Sequence, residues 1–351
     1  MEGVMGLFDG SAGMKGSSAE IAELIGIPVV LVLNAKSTAY TVAPVLYGFK
    51  HFYPGIRVVG VVFNFVASVA HYAYLQQACV DAGVEALGYI PKDESIVIPS
   101  RHLGLSIDET FCFDAFADRV AEVIDKTVNV DRLLELCTVE FSGKQTEGVI
   151  CSGNRKIAIA RDEAFNFMYR ENVEALKRAG EVVFFSPLHD KRLPDADLVY
   201  FPGGYPELYL PELAANEGMR QAVRKYCETG GRVLAECGGM MYLCDTITSD
   251  DGKVYPMAGV LKQGATMEQM KLKLGYREVR VNGQRIRGHE FHYSRILPGH
   301  EKIPVIGTIY NAKDMVVDTP VYTYKNVLAS YIHFYWGECG IDHFVMLMSQ
   351  K

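Results

Sequence analysis

The stretch Gly230-Gly-Arg-Val-Leu-Ala-Glu-Cys-Gly-Gly-Met-Met-Tyr-Leu243 has the residue types, in order, that covalent amide chemistry needs. An apolar run at 232–235 reads as a buried strand. It leads into a small-x-Cys-x-Gly turn, and a helical pattern through Met240, Met241, Leu243 and Cys244 follows. Strand, sharp turn and helix make a nucleophile elbow. Ala235 and Gly239 are small enough for the turn to close, which places Cys237 at its tip. A thiolate there lies at a helix N-terminus, where the backbone dipole favours negative charge, so a lowered thiol pKa is expected. The other seven of the eight cysteines read as structural.

A cysteine that attacks an amide needs a base and hydrogen-bond donors for the oxyanion. Phe201-Pro-Gly-Gly-Tyr-Pro-Glu207 follows a strand at 198–201, and its paired glycines leave backbone N–H groups free to face developing charge. Gly203 and Gly204, with Gly238 beside the cysteine, are therefore the oxyanion-hole candidates. Of nine histidines, only His333 lies in a strand-like C-terminal run, Ala329-Ser-Tyr-Ile-His-Phe-Tyr-Trp336, and it is the candidate base. His289 and His292 compete, in Gly288-His-Glu-Phe-His-Tyr-Ser294. Their H-E-x-H spacing misses the i, i+4 pattern of a zinc helix. The segment, with Tyr293, reads instead as a substrate-lining loop.

These groups need a scaffold, and the chain supplies a regular one. Short β-branched runs at 29–33, 58–63, 156–160, 182–185, 198–201 and 232–235 read as strands buried on both faces, the mark of parallel sheets. Helical patterns at 70–82, 113–124, 167–178 and 219–229 alternate with them. The fold class expected is α/β, with two doubly wound, mainly parallel sheets. A polar, glycine-containing stretch reads as a linker at 126–155, between domains at 1–125 and 156–351.

Composition excludes several function classes. In 351 residues, 35 basic residues face 42 acidic ones, a net charge of −7. That balance argues against nucleic acid or an anionic membrane as the main partner. The longest mainly apolar run, 25–33, is about half of what spans a bilayer, and no basic-then-apolar leader opens the chain. The cysteines are scattered without a C-x-x-C pair, which points to a reducing cytoplasm.

With these pieces placed, the chain resembles the cobyrinic acid a,c-diamide synthase family. The matching stretches begin with Glu2-Gly-Val-Met-Gly-Leu-Phe-Asp-Gly10, Arg101-His-Leu-Gly-Leu105 and Ala160-Arg-Asp-Glu-Ala-Phe165. They continue with the Phe201–Glu207 and Ala235–Leu243 segments, Gly288–Ser294 and Ala329-Ser-Tyr-Ile-His333, in the family's order and over nearly the whole chain. The resemblance implies an ATP-dependent amide synthase domain like dethiobiotin synthetase, with its P-loop fold, and a class I glutamine amidotransferase domain. It matches Cys237 to the nucleophile and His333 to its partner. Other class I amidotransferases carry a glutamate two residues after the histidine, where this chain has Tyr335, so a Cys-His pair is implied. Glutamine, ATP and Mg²⁺ are implied, with Glu2 and Asp9 as Mg²⁺ ligands and Asn64 at the adenine. No tightly bound metal is expected. The substrate implied is a tetrapyrrole carboxylic acid: cobyrinic acid, hydrogenobyrinic acid and nickel-sirohydrochlorin present similar acetate side chains. A homodimer is a further expectation.

Two departures from the family pattern bear on the ATP site. Family members carry a phosphate loop upstream of the first motif, whereas this chain has no G-x-x-x-x-G-K-[ST]. The nearest approach, Gly10-Ser-Ala-Gly-Met-Lys-Gly-Ser-Ser18, orders glycine and lysine wrongly, and Ser17-Ser-Ala-Glu20 reads as a helix capping box. A shortened chain is expected to bind MgATP weakly and to self-associate along its N-terminal sheet edge. Asn34 stands where the family usually has an aspartate. Two other readings compete with the full amidoligase: a lone glutaminase, and a non-catalytic tetrapyrrole-binding remnant.

Overall fold

The computed structural model describes residues 2–3, 5–98, 100–101, 104–105, 112–140 and 154–337. Parts of several sequence readings lie outside them: residue 4 of the first motif, 102–103 of the second, 141–153 of the linker, and stretches of both domains. The chain forms two compact units, Met1–Lys144 and Gln145–Lys351.

In the first unit, parallel strands Val29–Asn34, Val58–Val66 and Glu85–Pro91 lie in that order. Val61 and Phe63 point from the central strand into a core with Leu31, Leu46, Leu75 and Cys79, from the strands and from helices Val42–His51 and Val69–Ala82. Ser17 caps helix Ser18–Ile25 by accepting from the Glu20 N–H at 3.2 Å. The Glu20 carboxylate reaches back to Gly16, one residue short of a reciprocal capping box. On the other sheet face, Val62 and Leu87 pack with Val128, Ile124, Leu133 and Leu136. Ile124 belongs to helix Phe113–Thr127, Leu133 and Leu136 to helix Val130–Cys137, and Val128 lies between them, so part of the span read as linker is structured. Val128, Val130, Leu133, Leu134, Leu136 and Cys137 carry an amphipathic pattern there, which the polar, glycine-containing residues that follow hid.

The second unit is built on a six-stranded sheet. Its order is Val321–Tyr324, Val327–Ser330, Arg232–Glu236, Leu198–Phe201, Arg155–Ala160, Gly180–Phe185. All neighbours are parallel except the first pair. The central strands are apolar on both faces because layers cover both sides. Phe165, Phe201, Tyr242 and Met240 fill one side. Ile157, Tyr200, Leu234 and Trp336 fill the other. The reading of double burial fails at edges: Val183 and Phe184 are 40% and 41% exposed, and Val32 on the edge strand of the first unit is 66% exposed.

Residues 244–334 add two sheets that the strand periodicity did not reveal. One, largely antiparallel, has the order Val254–Pro256, Cys244–Thr248, Leu261–Thr266, Arg295–Leu297. The other is antiparallel throughout, in the order Thr308–Asn311, Lys273–Val281, Gln284–His292, Ile332–Phe334. The segment read as a substrate-lining loop is therefore mostly strand Gln284–His292. Polar residues at its buried positions, Glu290 and His292, and the exposed Phe291 masked the alternation; Arg285 and Arg287 pair across to Glu278.

Leu75 is fully buried in the core of the first unit. Leu75→Ala is expected to cost about 2–5 kcal/mol of that unit's stability, the usual range for a buried leucine that leaves a cavity. Chemical denaturation followed by amide exchange in helix Val69–Ala82 checks it.

Candidate active site

Strand Arg232–Glu236 runs up the middle of the six-stranded sheet and ends at Cys237. Cys237 has φ 48° and ψ −109°, a left-handed conformation that a side chain rarely adopts. Three backbone bonds hold it there. The Cys237 N–H donates to the Ser330 carbonyl at 2.7 Å, Gly239 N–H to Pro202 at 3.1 Å, and Met241 N–H to Cys237 at 3.0 Å. The glycines are needed for close approach. A Cβ at Gly239 would collide with the Phe201 carbonyl, and one at Gly238 with Pro206 and the backbone of Gly204. The elbow and the Phe201–Glu207 loop thus lie backbone against backbone. The loop's Gly203 lies against the His333 ring, where a Cβ would strike Cε1. One glycine loop touches both candidate catalytic segments.

His333 sits on strand Ile332–Phe334, paired opposite His289. Its ring stacks on His289, with centroids 4.8 Å apart and planes 15° apart, and meets the edge of Phe167 at 4.7 Å. Among the described residues its Nδ1 has no hydrogen-bond partner. Burial, then the neighbouring His289 and His292, push its pKa down to about 3. The imidazole is therefore neutral at neutral pH, the form that can accept a proton.

The thiol departs from the lowered pKa expected of a helix N-terminus. Cys237 is 7% exposed, and burial raises its pKa, reinforced by the Glu207, Glu236 and Glu290 carboxyls. The Gly238 N–H favours the thiolate but does not outweigh desolvation. The thiol's hydrogen bond goes to the Phe291 carbonyl at 3.9 Å rather than to His333. The closed site thus holds a neutral thiol and a neutral imidazole.

The other sequence candidates are placed differently. His289 lies beside the candidate base, its ring stacked on His333 and its Nδ1 2.6 Å from the Tyr169 hydroxyl. His292 is buried, with Nε2 on Glu290 at 2.8 Å, Nδ1 on the Ser294 carbonyl at 2.8 Å, and its ring stacked on Tyr331 at 3.5 Å. Both of its nitrogens serve the fold. Tyr293 is half-buried beside Phe291. Glu2, Asp9 and Asn64 belong to the first unit. Glu2 and Asp9 are exposed, and Asn64 spends its side-chain oxygen on the Phe65 N–H at 2.9 Å. Among the described residues no group of three or more His, Cys, Asp or Glu could hold a metal ion. Two exposed carboxylates nonetheless suit Mg²⁺, which takes most of its oxygens from phosphates and water.

Sequence reasoning missed four neighbours. Phe167 and Tyr169 fall in the predicted helix at 167–178, but the helix starts at Arg170. The residues before it are drawn out to wall His333 and His289, with the Phe167 N–H on the Gly203 carbonyl at 3.0 Å. Glu207 and Glu236 were quoted in motifs without a role. Burial pushes the Glu207 carboxyl up to about 7 and that of Glu236 up to about 8. Glu236 accepts from the Tyr200 hydroxyl at 2.8 Å and the Phe334 N–H at 3.2 Å. Their signal in the sequence was adjacency to the loop and to the nucleophile.

Because Glu236 holds its proton far above the ordinary 4.5, its contribution to stability is complete at low pH. It is lost as pH rises through the folded pKa. Between about pH 5 and about pH 8, the wild-type melting temperature should fall relative to that of Glu236→Gln, which cannot ionise. Thermal unfolding of both proteins across that range checks it; parallel curves would contradict it.

The chain can now be set beside known proteins. Residues 156–339 match the CobB/CobQ-like glutamine amidotransferase domain. The chain is 36% identical to the cobyrinate a,c-diamide synthase of Caldanaerobacter subterraneus subsp. tengcongensis, over 98% of its own length and 79% of the relative's. It is 35% identical to the enzyme of that name from Salmonella typhimurium, over 96% and 77%. It is 37% identical to the hydrogenobyrinate a,c-diamide synthase of Pseudomonas aeruginosa, over 95% and 75%. Identity at this level over nearly the whole chain places it in the cobyrinate a,c-diamide synthase family, with a CobB/CobQ-like glutamine amidotransferase domain as its C-terminal part.

Proposed function

We propose that this chain takes ammonia from glutamine at Cys237 and uses it, with ATP, to amidate the a and c acetate carboxylates of a cobyrinic acid-type corrin precursor in cobalamin biosynthesis. The observation that carries the glutaminase half is the strained elbow at Cys237, packed against the Gly203–Gly204 loop that also touches His333. The names of the relatives carry the acceptor half.

Cys237 Sγ attacks the side-chain carbonyl carbon of glutamine, and its proton passes to His333. Backbone N–H groups of Gly203, Gly204 and Gly238 face the resulting oxyanion, each good donor contributing about 3–4 kcal/mol. His333 returns the proton to the leaving nitrogen, and ammonia departs from a thioester on Cys237. Water then attacks the thioester, with His333 as base, and glutamate leaves. The corrin carboxylate is converted by ATP to an acyl phosphate, which ammonia attacks to give the amide and phosphate. Glu2 and Asp9 would hold the Mg²⁺ that neutralises the phosphate oxygens, and Asn64 would meet the adenine. No helix among the described residues is long and apolar enough to cross a membrane, and we place the reaction in the cytoplasm.

Cys237→Ser should abolish glutamine-dependent amidation and spare amidation driven by added ammonium. Equal loss of both would make Cys237 structural. His333→Ala should slow glutamine hydrolysis by at least ~100-fold, the scale of general-base loss. If His292→Ala matches that loss while His333→Ala does not, the base is misassigned. Glutamate release and amide formation, assayed separately, report both outcomes.

A further inference from the structure

His333 lacks the acid that would orient its ring: Nδ1 has no partner among the described residues, and Tyr335 stands two positions on. Among the described residues its ring packs between Gly203, His289 and Phe167. Packing fixes a ring only if the strand beneath it is fixed, and strand Ile332–Phe334 is three residues long.

Two buried polar side chains meet on Phe334, the residue after His333 and the last of that strand. Glu236 is 1% exposed, and its Oε1 accepts from the Phe334 N–H at 3.2 Å while Oε2 accepts from Tyr200 Oη at 2.8 Å. Asn172 is fully buried. Its Nδ2 donates to the Phe334 carbonyl at 2.7 Å, and its Oδ1 accepts from the Trp336 N–H at 2.9 Å. The Trp336 ring packs on Tyr200 at 5.0 Å, which closes the arrangement around Glu236. Burying a carboxyl and an amide in an apolar layer is costly unless each has a specific partner. Here both are aimed at the peptide groups that follow His333.

Building on the Cys237–His333 reading, we propose that Glu236 and Asn172 are positioning residues for His333. Gripping the Phe334 peptide from two sides, they set the angle at which the imidazole meets the thiol. They do through the backbone what an acid at position 335 would do through the ring. Glu236 also ends the strand that delivers Cys237, so one side chain ties nucleophile and base together. Asn172, on helix Arg170–Ala179, acts on the histidine side from a different element.

The test is steady-state glutamine hydrolysis by the full chain. Glu236→Leu keeps the shape and removes the acceptor; Asn172→Ala removes both amide contacts. Each should lower kcat by ~10- to 100-fold, the effect of a small misplacement of a catalytic group, with KM for glutamine within about twofold. Glu236→Gln keeps an acceptor for Phe334 and should recover kcat to within about threefold of wild type. Leu213→Ala, buried in the core on the other face of the six-stranded sheet from this strand, supplies a destabilised control and should leave kcat within about twofold of wild type. If Glu236→Leu does not fold, Asn172→Ala against Leu213→Ala carries the same comparison. Wild-type kcat in Asn172→Ala, or equal losses in Leu213→Ala, would overturn the positioning role while His333→Ala stays inactive. An active His333→Ala would instead remove the reading on which it rests.

Discussion

The 2.7 Å hydrogen bond from the Cys237 N–H to the Ser330 carbonyl ties the tip of the elbow to the point where the chain changes sheets. Ser330 ends a strand of the six-stranded sheet, and Ile332 begins one in the antiparallel sheet. Only Tyr331 lies between them, buried and stacked on His292. That switch turns His333 away from the main sheet while keeping it three residues beyond the end of the strand that neighbours the nucleophile strand. The left-handed backbone at Cys237, the glycines at 203, 204, 238 and 239, and the grip of Glu236 on Phe334 each work only if the crossing stays where it is.

Desolvation sets the electrostatics of the site. It pushes the Cys237 thiol and the Glu236 carboxyl up and the His333 imidazole down, so the nucleophile and its base rest uncharged. A thiolate–imidazolium pair has little to stabilise it until a substrate amide arrives. Once the carbonyl becomes an oxyanion facing backbone N–H groups, proton transfer to His333 has a counterpart. A buried, unionised cysteine also reacts poorly with stray electrophiles, because the thiolate is the nucleophile.

The parallel core was legible because each central strand is buried on both faces. Leu198–Phe201 coincides with its apolar run, and Val58–Val66, Arg155–Ala160 and Arg232–Glu236 differ from theirs by a few terminal residues, whereas the equally central Val327–Ser330 was not read as a strand. The elbow was legible because Cys237 sits between small residues after such a run. What escaped was set by tertiary contacts. Strand Gln284–His292 hides behind arginines and histidines. Residues 167–169 have a helical pattern but are drawn out to wall His333 and His289. The pKa direction of Cys237 was misread because a helix end is visible in sequence and burial of its tip is not. Glu236 and Asn172 stand 64 positions apart in the numbering (236 minus 172), and only the folded chain brings both to Phe334.

The central claim is that Cys237 attacks the side-chain carbonyl carbon of glutamine. Its most direct test is to react the full chain with a diazoketone analogue of glutamine and map the adduct by peptide mass spectrometry, with and without excess glutamine. A single adduct on Cys237, suppressed by glutamine and greatly slowed in His333→Ala, is the predicted result. Labelling of Cys244 or Cys227 in its place, or labelling of Cys237 that glutamine does not suppress, would contradict it.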